Sequence, residues 1–353
     1  MTGAVHQLVP VLAQGDGVSA AVLRFRDLLR WRGYRSDVYA DLVDRHMRRQ
    51  AQPAWKLRSE TTTDDVVIYH LSIGSPLAAE FAALPAKLVI FYQNVTPVES
   101  TAGSSPLLAH RLRWGRADLA TLAPIAELGL AASEFSAREL RAAGASDVAV
   151  VPLQPDLKSL RPRASSPAGR PVLLFVGRFA PHKHQDFLIR VLAALRGTRS
   201  ADAALVLVGS AEVPEYIQAL SAFAERLGVI AGLQLPRGPM SDRELGELYA
   251  RATVFVCASD HEGFCLPLVE AMAFSLPVIG YNAGAVGETI ADGGVVLDDL
   301  DPLLWAELAW QASIQGTVRS RLVRAARRRL DAFSDAVVAD KLINALSRIT
   351  SRD

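Results

Sequence analysis

The stretch 262-EGFCLPLVE-270 decides the fold, because it follows a short apolar run and leads into an apolar helical segment. The run before it, 252-ATVFVCAS-259, predicts a buried strand. Pro267 is well accepted in the first turn of a helix, where amides have no helical partner. A strand, a tight turn and a helix can direct backbone N–H groups at an anion. The stretch therefore predicts one βα unit of a parallel sheet, with an anion site at its turn.

Two carboxylates frame this predicted turn. Glu262 is expected at its mouth and Glu270 about two turns along the helix. Each could accept hydrogen bonds from ligand hydroxyls beside amides that donate to phosphate, a combination that indicates a sugar-nucleotide site. The simpler interpretation, a first-turn acid and a solvated helix glutamate, stays open for this segment alone.

Length and composition favour a protein of enzyme size. The chain has 353 residues, half of them apolar, so two domains of roughly 150 to 180 residues are expected. Its 38 Lys and Arg residues balance 37 Asp and Glu residues, which gives no reason to expect nucleic acid as a partner. Two cysteines exclude a disulfide framework and suit a reducing cytoplasm. The N-terminus predicts a first strand rather than a signal peptide, and no apolar run reaches the ~18 residues of a membrane span.

Short apolar runs alternate with helical segments along the whole chain, which predicts an α/β protein with parallel sheets covered on both faces. The first helix shows the spacing well, with Val22, Phe25, Leu28 and Leu29 on one face and Gly33 at its end. Twelve strands are predicted, within residues 6–12, 36–40, 65–71, 87–93, 128–133, 148–153, 171–177, 204–209, 232–238, 253–259, 277–282 and 294–298.

The segment 161-RPRASSPAGRP-171 is predicted to be a linker, because it is rich in Pro, Ser and Arg and has no periodicity. We therefore expect two Rossmann-like domains, one over residues 1–165 and one over 166–330. A C-terminal helix over 331–353 is expected to pack back toward the first domain.

The second domain opens with 173-LLFVGRFAPHKHQDFLI-189, which places two cations between a strand and a helix. Arg178 offers a planar fork and Lys183 a compact charge, and both suit a pyrophosphate. Exposed cations are common in loops, so this pair alone is only moderate evidence for a pyrophosphate site. The stretch 262–270 strengthens that evidence. Both loops should lie at the carboxyl edge of one sheet.

Several further positions are ambiguous on their residues alone. The turn at Gly238 to Met240 precedes a helix that Ser241 or Asp242 should cap, with Glu244 in its first turn, and a capped helix without another role is the simpler interpretation. The segment 282-NAGAVGETI-290 offers glycines and an acid at another strand-to-helix junction.

The first half offers two weaker candidates. Gly17 follows the first strand, where glycine lets a ligand approach the backbone or only shapes the turn. His70 ends a predicted strand, where it could hydrogen-bond a sugar hydroxyl or stabilise charge, although a lone histidine is more often structural.

Ordered segments along nearly the whole chain resemble the retaining glycosyltransferases of family 4, also called glycosyl transferases group 1. The E-x7-E element with upstream Arg and Lys is the most specific of them. The segments are 15-GDGVSAAVLRFRDLLRWRGY-34, 66-VVIYHLSIGSP-76, 92-YQNVTP-97, 132-ASEFSARELRAAG-144, 176-VGRFAPHK-183, 238-GPMSDRELGELYARA-252, 262-EGFCLPLVEAMAFSLPVI-279 and 282-NAGAVGETI-290. The resemblance implies the GT-B architecture, two Rossmann-like parallel-sheet domains that face each other across a cleft. It also implies that the domain over 1–165 mainly binds the acceptor and that the domain over 166–330 binds the nucleotide-sugar donor.

The resemblance also implies a role for each matching residue. Arg178 and Lys183 match the diphosphate-binding pair, Glu262 the glutamate beside the donor sugar, and Glu270 the glutamate that binds the ribose. His70 matches the histidine near the transferred sugar, so His70, Arg178, Lys183 and Glu262 are the expected catalytic set. The expected donor-binding set is Gly17, Gly238, Met240, Gly263, Phe264, Cys265, Leu266 and Glu270.

Four positions depart from the family pattern. Cys265 stands where glycine is usual, His184 follows Lys183 where glycine is common, Gln93 replaces a histidine, and Asp16 replaces a glycine. None removes a principal charged group, so activity is expected. They bear on the identity of the donor sugar and the acceptor.

The implied reaction moves a hexosyl unit from a UDP- or GDP-sugar to a hydroxyl acceptor with retention. The acceptor would be a polysaccharide, a lipid-linked glycan or a secondary metabolite. No cofactor or metal is expected, because Arg178, Lys183 and the turn amides supply positive charge, and the few histidines show no zinc spacing. Two alternatives stay open: a sugar-nucleotide epimerase on the same architecture, and a non-catalytic sugar-nucleotide binder.

A basic segment adds one candidate membrane contact. In 110-HRLRWGRADL-119, the residues Arg111, Arg113, Trp114 and Arg116 could dock an anionic membrane surface or a lipid-linked acceptor. A solvated helix face is the alternative. The expected location is cytoplasmic, with this segment as a candidate for peripheral contact at the inner face of the membrane.

Overall fold

The computed structural model describes residues 3–101, 105–161, 170–210, 214–236, 240–314 and 316–350. Most of the predicted linker 161–171, and the predicted boundary at 165/166, fall in 162–169, outside the described residues. The strands are β1 Val5–Leu12, β2 Val38–Val43, β3 Gln52–Pro53, β4 Val66–Leu71, β5 Lys87–Tyr92, β6 Leu128–Ala131, β7 Val148–Val150, β8 Val172–Val176, β9 Ala204–Val208, β10 Leu233–Gln234, β11 Val254–Cys257, β12 Val278–Tyr281 and β13 Val295–Leu297.

Helices follow most strands. They are α1 Gly17–Trp31, α2 Leu57–Glu60, α3 Leu77–Ala82, α4 Pro106–Leu122, α5 Glu134–Ala142, α6 Leu157–Leu160, α7 Gln185–Thr198, α8 Pro214–Arg226, α9 Asp242–Arg251, α10 Leu266–Ala273, α11 Val286–Ile290, α12 Pro302–Ser313, α13 Thr317–Leu330 and α14 Asp335–Thr350.

The chain divides into two compact units. The first comprises Met1–Val98, Pro106–Pro155 and Ala332–Asp353, and the second comprises Glu99–Ser105 and Asp156–Asp331. The first holds a seven-stranded sheet in the order β3-β2-β1-β4-β5-β6-β7. The second holds a six-stranded sheet in the order β10-β9-β8-β11-β12-β13. Every strand pair is parallel, which confirms the predicted pair of parallel-sheet α/β units.

Each sheet is buried on both faces, as its continuous apolar strands require. In β11, Val254 and Val256 face one buried cluster of the second unit, whereas Phe255 and Cys257 face the other. This alternation follows from the two-residue period of a strand. Because both faces are covered, a ligand can reach this sheet only at an edge or at its strand ends.

All twelve predicted strands are present, and the thirteenth, β3, was missed. It has only two residues and includes Pro53, so no alternating pattern marks it. The first helix was predicted correctly: Val22, Phe25, Leu28 and Leu29 of α1 are buried.

The last helix, α14, belongs to the first unit and packs against α1 and β6. Arg24 of α1 pairs with Asp335 at its start. Near its end, the Lys87 Nζ atom donates to the Ile349 carbonyl oxygen at 3.1 Å. The helix is therefore an integral layer of the first unit, although 176 residues of the second unit, 156–331, precede it in the chain.

Candidate functional site

The candidate site lies at the carboxyl ends of β8 and β11, which are neighbours in the second sheet. The loop after β8 carries Arg178 and Lys183, and the loop after β11 carries Glu262. Because parallel neighbours end at the same edge, the two loops meet there. The expectation that both loops share one sheet edge is confirmed.

A buried ion pair joins these loops. The Lys183 Nζ atom lies 2.7 Å from the Glu262 Oε1 atom, with only 10% and 15% of the two side chains exposed. The same ammonium donates to the His261 carbonyl oxygen at 3.2 Å. The sheet edge thus presents an enclosed cation and anion side by side.

The Glu262 carboxyl is held in its charged form. Burial acts to raise its pKa, but the Lys183 ammonium and hydrogen bonds from Lys183 and Ser259 act more strongly in the opposite direction. The net pKa is lowered, so Glu262 is a carboxylate at neutral pH. A fixed negative charge is what stabilises a positive centre that develops beside it.

Two further contacts fix the loops to each other. The Asp260 amide donates to the His182 carbonyl oxygen at 3.0 Å. The His184 Nε2 atom lies 3.3 Å from the Asp260 Oδ2 atom. The position of Lys183 opposite Glu262 therefore rests on both backbone and side-chain contacts.

Two of the four departures from the family pattern occur at left-handed backbone positions. His184 has φ of 50° and Cys265 has φ of 70°, each immediately before a helix, α7 and α10 respectively. Glycine adopts this conformation freely, whereas other L-residues pay about 1–2 kcal/mol. The family's glycines at these positions are thus explained by backbone geometry, and this chain accepts strain at both.

Gly284 supports Glu262 from below, a role that the sequence left ambiguous. A Cβ atom at Gly284 would lie 2.5 Å from the Glu262 carbonyl oxygen, and Gly284 has φ of 57°. The neighbouring Ala285 amide donates to the same oxygen at 2.8 Å. The segment 282–290 therefore packs against the backbone of the turn at Glu262. This close approach explains why residue 284 is a glycine.

Glu270, on α10, is bonded to a buried tyrosine of α9. The Tyr249 Oη atom donates to the Glu270 Oε2 atom at 2.6 Å. Burial raises the pKa of Glu270 to about 7, against the lowering effect of this bond. The helix α9 begins with the predicted capping box between Ser241 and Glu244.

The other predicted donor residues of the second unit differ in exposure. Arg178 is exposed, and its carbonyl oxygen accepts from the Gln185 Nε2 atom at 2.8 Å. Phe264 and Cys265 are buried, while Met240, Gly263 and Leu266 are partly exposed. Gly238 lies outside the described residues.

His182 was missed by the sequence analysis. It is 4% exposed, and its Nδ1 atom lies 2.8 Å from the Ser100 carbonyl oxygen. Burial, assisted by the Lys183 charge, lowers the pKa of His182 to about 4, so the ring is neutral. Its Nε2 atom is buried and has no partner among the described residues.

The two cysteines also meet at this edge, which the sequence analysis did not anticipate. The Cys257 and Cys265 Sγ atoms are 3.9 Å apart. The hydrogen bond between the thiols lowers the pKa of Cys257 and raises that of Cys265. One donor atom each from Cys257, Glu262 and Cys265 lies within 4.8 Å of the others. The only signal in the sequence was that the chain's two cysteines flank Glu262.

In the first unit, His70 is enclosed between two glutamines. Its Nε2 atom lies 2.8 Å from the Gln7 Oε1 atom, and its Nδ1 atom lies 3.0 Å from the Gln93 Nε2 atom. The amide groups assign a neutral ring that donates from Nε2 and accepts at Nδ1. Burial lowers the pKa of His70 to about 3, and the side chain has no exposed surface. Gln7 and His70 are buried, whereas Gln93 is partly exposed.

Gly17 is the first residue of α1, in the exposed segment after β1. Asp16 caps this helix, because its Oδ2 atom accepts from the Ser19 amide at 2.8 Å. The aspartate that departs from the family pattern thus stabilises the helix start. β1, β4 and β5 are neighbours, so Gly17, His70 and Gln93 share one end of the first sheet.

The basic segment forms part of α4. Trp114 packs against Gly74, and the Arg116 Nη2 atom donates to the Val95 carbonyl oxygen at 2.8 Å. Arg113 is exposed and Arg111 is partly exposed. Two of the four candidate residues are therefore engaged within their own unit.

Comparison with known proteins places this geometry in a family. The model of "Glycosyl transferases group 1" matches residues 158–329, the part of the chain that carries the ion pair and Glu270. A GDP-mannose-dependent alpha-mannosyltransferase of Mycobacterium tuberculosis is 30% identical, over 80% of this chain and 71% of that protein. The chain belongs to the glycosyl transferases group 1.

A second group 1 relative is a D-inositol 3-phosphate glycosyltransferase of Xylanimonas cellulosilytica. It is 30% identical over 55% of this chain, and the match spans 46% of the relative's length. The solved structure of a sucrose-phosphate synthase from Thermosynechococcus elongatus has the same fold, with a TM-score of 0.79 at 17% identity. That match covers 99% of this chain and 100% of the solved chain. Within the described part of this group 1 protein, no helix has the length and apolarity of a membrane span.

Proposed function

We propose that this protein is a retaining glycosyltransferase that moves a hexosyl unit from a nucleoside diphosphate sugar to a hydroxyl acceptor. The observation that carries the proposal is the enclosed Lys183–Glu262 pair at 2.7 Å. A nucleoside diphosphate sugar needs a cation at the departing diphosphate and an anion near the sugar. This pair offers the cation and the anion at hydrogen-bonding distance from each other.

Lys183 and Arg178 would hold the diphosphate. The Lys183 ammonium has three N–H donors, and in the described residues Glu262 and the His261 carbonyl accept two of them. The third can bind a phosphate oxygen without breaking the ion pair. Arg178, at the exposed rim, adds a planar fork for the second phosphate. Side-chain cations would thus stabilise the leaving group, and we propose that no metal is required.

Glu262 and Glu270 would contact opposite parts of the donor. Glu262 is ionised and lies beside Lys183, so it would face the sugar and stabilise positive charge at the anomeric carbon. Glu270 lies two turns away on α10 and would accept from the ribose hydroxyls. Departure of the diphosphate and attack of the acceptor on the same face would retain the configuration, with the leaving phosphate taking the acceptor proton.

His70 would act through Gln93 in this proposal. Both ring nitrogens of His70 are engaged, and the ring is neutral. It can orient the Gln93 amide, which is partly exposed and could contact the transferred sugar or the acceptor. His70 would then be a positioning residue, and a direct contact with sugar would require exchange of one of its two bonds.

The donor to test first is GDP-mannose, because the M. tuberculosis relative is named for dependence on it. UDP-sugars form the comparison set. The acceptor is a hydroxyl compound, with polysaccharide, lipid-linked glycan and secondary metabolite as the classes to test. A peripheral membrane contact through Arg111 and Arg113 is retained as a proposal for a lipid-linked acceptor.

The test is a panel of GDP- and UDP-sugars in excess EDTA, with and without a mixture of hydroxyl acceptors. Acceptor-dependent release of nucleotide, with an unchanged anomeric configuration by NMR, supports the proposal. Release of nucleotide without acceptor, together with an altered sugar, would indicate an epimerase. Binding without turnover across the panel would indicate a non-catalytic binder, and activity restored only by Mg²⁺ or Mn²⁺ would contradict metal independence.

A further inference from the structure

The two cysteines of the chain meet in space. Cys257 ends β11 and Cys265 precedes α10, and their Sγ atoms are 3.9 Å apart. Both side chains are buried, at 0% and 9% exposure. With only two cysteines in 353 residues, their contact is a specific feature of this turn.

The backbone at Cys265 bears a cost for this contact. With φ of 70°, Cys265 has the left-handed backbone conformation, which is strained for a residue other than glycine. Strain of this kind persists where the surroundings hold it, and it concentrates at functional sites. Here it accompanies a thiol directed at Cys257.

A third donor completes the cluster. One ligand atom each from Cys257, Cys265 and Glu262 lies within 4.8 Å of the other two. In a tetrahedral zinc site, two sulfurs at about 2.3 Å from the metal are about 3.8 Å apart. The observed separation of 3.9 Å is close to this value. A disulfide, by contrast, needs sulfurs about 2.05 Å apart, and it would not involve the Glu262 carboxylate.

The surrounding charge also fits a divalent cation. Two thiolates and one carboxylate around a 2+ ion leave one negative charge. The Lys183 ammonium, 2.7 Å from the Glu262 Oε1 atom, would neutralise it. The Ser259 hydroxyl lies 3.5 Å from the Cys257 Sγ atom and donates to Glu262, so it contacts two of the three donor residues. Such outer contacts orient ligands and tune metal sites.

We propose that Cys257, Cys265 and Glu262 form a binding site for one thiophilic divalent cation of the Zn²⁺ class. Three protein ligands leave the fourth position to water or a ligand oxygen. Binding converts two thiols to thiolates, so two protons are released per ion. Because Glu262 belongs to the proposed donor site, the bound ion inhibits transfer; this last consequence rests on the proposed function.

The test uses the full-length protein, reduced and stripped of metal under anaerobic conditions. Co²⁺ is titrated as the probe, and Zn²⁺ is then added as a competitor. The expected result is one ion per chain, a thiolate-to-cobalt charge-transfer band and displacement by Zn²⁺. Cys257→Ser and Cys265→Ser should each weaken binding at least tenfold and reduce the band.

Two further variants sharpen the result. Glu262→Gln should weaken binding and keep the thiolate band, whereas Glu225→Gln, the same change at an exposed acid of α8, should change neither. Cys257→Ala replaces the serine variant if circular dichroism shows that the latter is unfolded. Absence of the band, or unchanged affinity in both cysteine variants, would overturn the proposal. So would reduced protein that binds no Co²⁺ and loses its thiols to a disulfide in air.

Inhibition is measured separately from binding. Zn²⁺ should lower the transfer rate of the unmodified chain, relative to the same reaction in EDTA, and should lower that of Cys257→Ser much less. Failure to find any transfer would count against the proposed function alone, because the cobalt titration needs no donor or acceptor. Equal inhibition of both proteins would contradict inhibition through this site.

Discussion

Glu262 pairs with the buried Lys183 ammonium, and the proposed function gives its carboxylate a second role beside the donor sugar. Glu262→Gln keeps the shape of the residue but removes the charge opposite Lys183. We expect transfer to fall by about 100-fold or more, as for loss of one group that stabilises transition-state charge. The free energy of unfolding should fall by about 1–3 kcal/mol, because a buried ammonium loses its counter-charge.

Initial rates and denaturant melts of the variant test this expectation. Glu225→Gln is the matched control, because it makes the same change at an exposed acid of α8. If Glu262→Gln turned over at the unmodified rate, the proposed role of the carboxylate would be lost.

Glu270 is expected to make donor binding pH-dependent. Burial raises its pKa from 4.5 to about 7, so the free protein carries a protonated carboxyl below that value. In the proposed function Glu270 accepts from the ribose hydroxyls, and a carboxylate is a stronger acceptor than a neutral carboxyl, so affinity for an NDP-sugar should rise between about pH 6 and pH 8. A diphosphate esterified at both ends has no ionisation in this range, so the slope reports on the protein.

Two variants check the assignment by calorimetry. Glu270→Gln should bind more weakly and show no slope. Tyr249→Phe removes the hydrogen bond that lowers the pKa of Glu270, so its midpoint should move to higher pH. Because the folded-state pKa is raised, the stabilisation that Glu270 contributes is present below about pH 4.5 and is lost as pH rises through about 7. A slope that persists in Glu270→Gln would assign the titration elsewhere.

The identities and positions of single residues predicted some features of the site and not others. The approach of Lys183 to Glu262 could be expected, because groups that follow neighbouring parallel strands lie at the same edge of the sheet. The Cys257–Cys265 contact and the Tyr249–Glu270 bond were missed, because they depend on side-chain directions after packing. His70 illustrates the same limit: its strand was predicted, but its enclosure by Gln7 and Gln93 was not.

Among the secondary-structure elements, the turn before α10 depends on the start of α11. Gly284→Ala should disrupt this turn, because its Cβ would meet the Glu262 backbone at 2.5 Å in a left-handed conformation. We expect a loss of about 3 kcal/mol in the free energy of unfolding and a large loss of transfer. Gly228→Ala is the control, since Gly228 has φ of 70° but nothing within 4 Å.

The Gly228→Ala control separates the cost of the left-handed backbone angle from the cost of the steric clash with the Glu262 backbone. Gly228→Ala should cost only about 1 kcal/mol and leave transfer unchanged. Thermal melts and rates of the two variants give the comparison. Equal effects would mean that Gly284 matters for its backbone angle alone.

Strands that lie within an apolar run were predicted well, and β3, which lacks such a run, was not. The buried strands β4 and β5 carry six residues each, enough to show a continuous apolar run. β3 has two residues at a sheet edge and carries no such signal. Its pairing with β2 is a tertiary event that no local pattern encodes.

For the whole molecule, the proposed function assigns the nucleotide to the second unit. A free nucleoside diphosphate should therefore slow hydrogen exchange in the loops 177–184 and 258–265 and in α9 and α10. Exchange in β4 and β5 of the first unit should change little. Mass spectrometry of exchanged peptides measures both, and protection confined to the first unit would contradict the assignment.

Gln93 tests the complementary assignment to the first unit. Gln93→Ala should lower the transfer rate at least tenfold and leave the dissociation constant of the nucleotide unchanged. Gln93→His, which restores the family's usual residue, should retain more activity. Stopped assays and equilibrium binding on the same samples make the comparison, and equal losses in rate and affinity would count against this division of roles.

The placement of α14 has a consequence for synthesis on the ribosome. The first unit contains residues from both sides of 156–331, so its α1 surface stays uncovered until the last segment emerges. At roughly 5–20 residues per second, that interval is about 10–35 s. The second unit, in contrast, is nearly continuous and can complete its sheet first. The second unit is thus expected to finish folding before the first, although the first unit begins to be synthesised earlier.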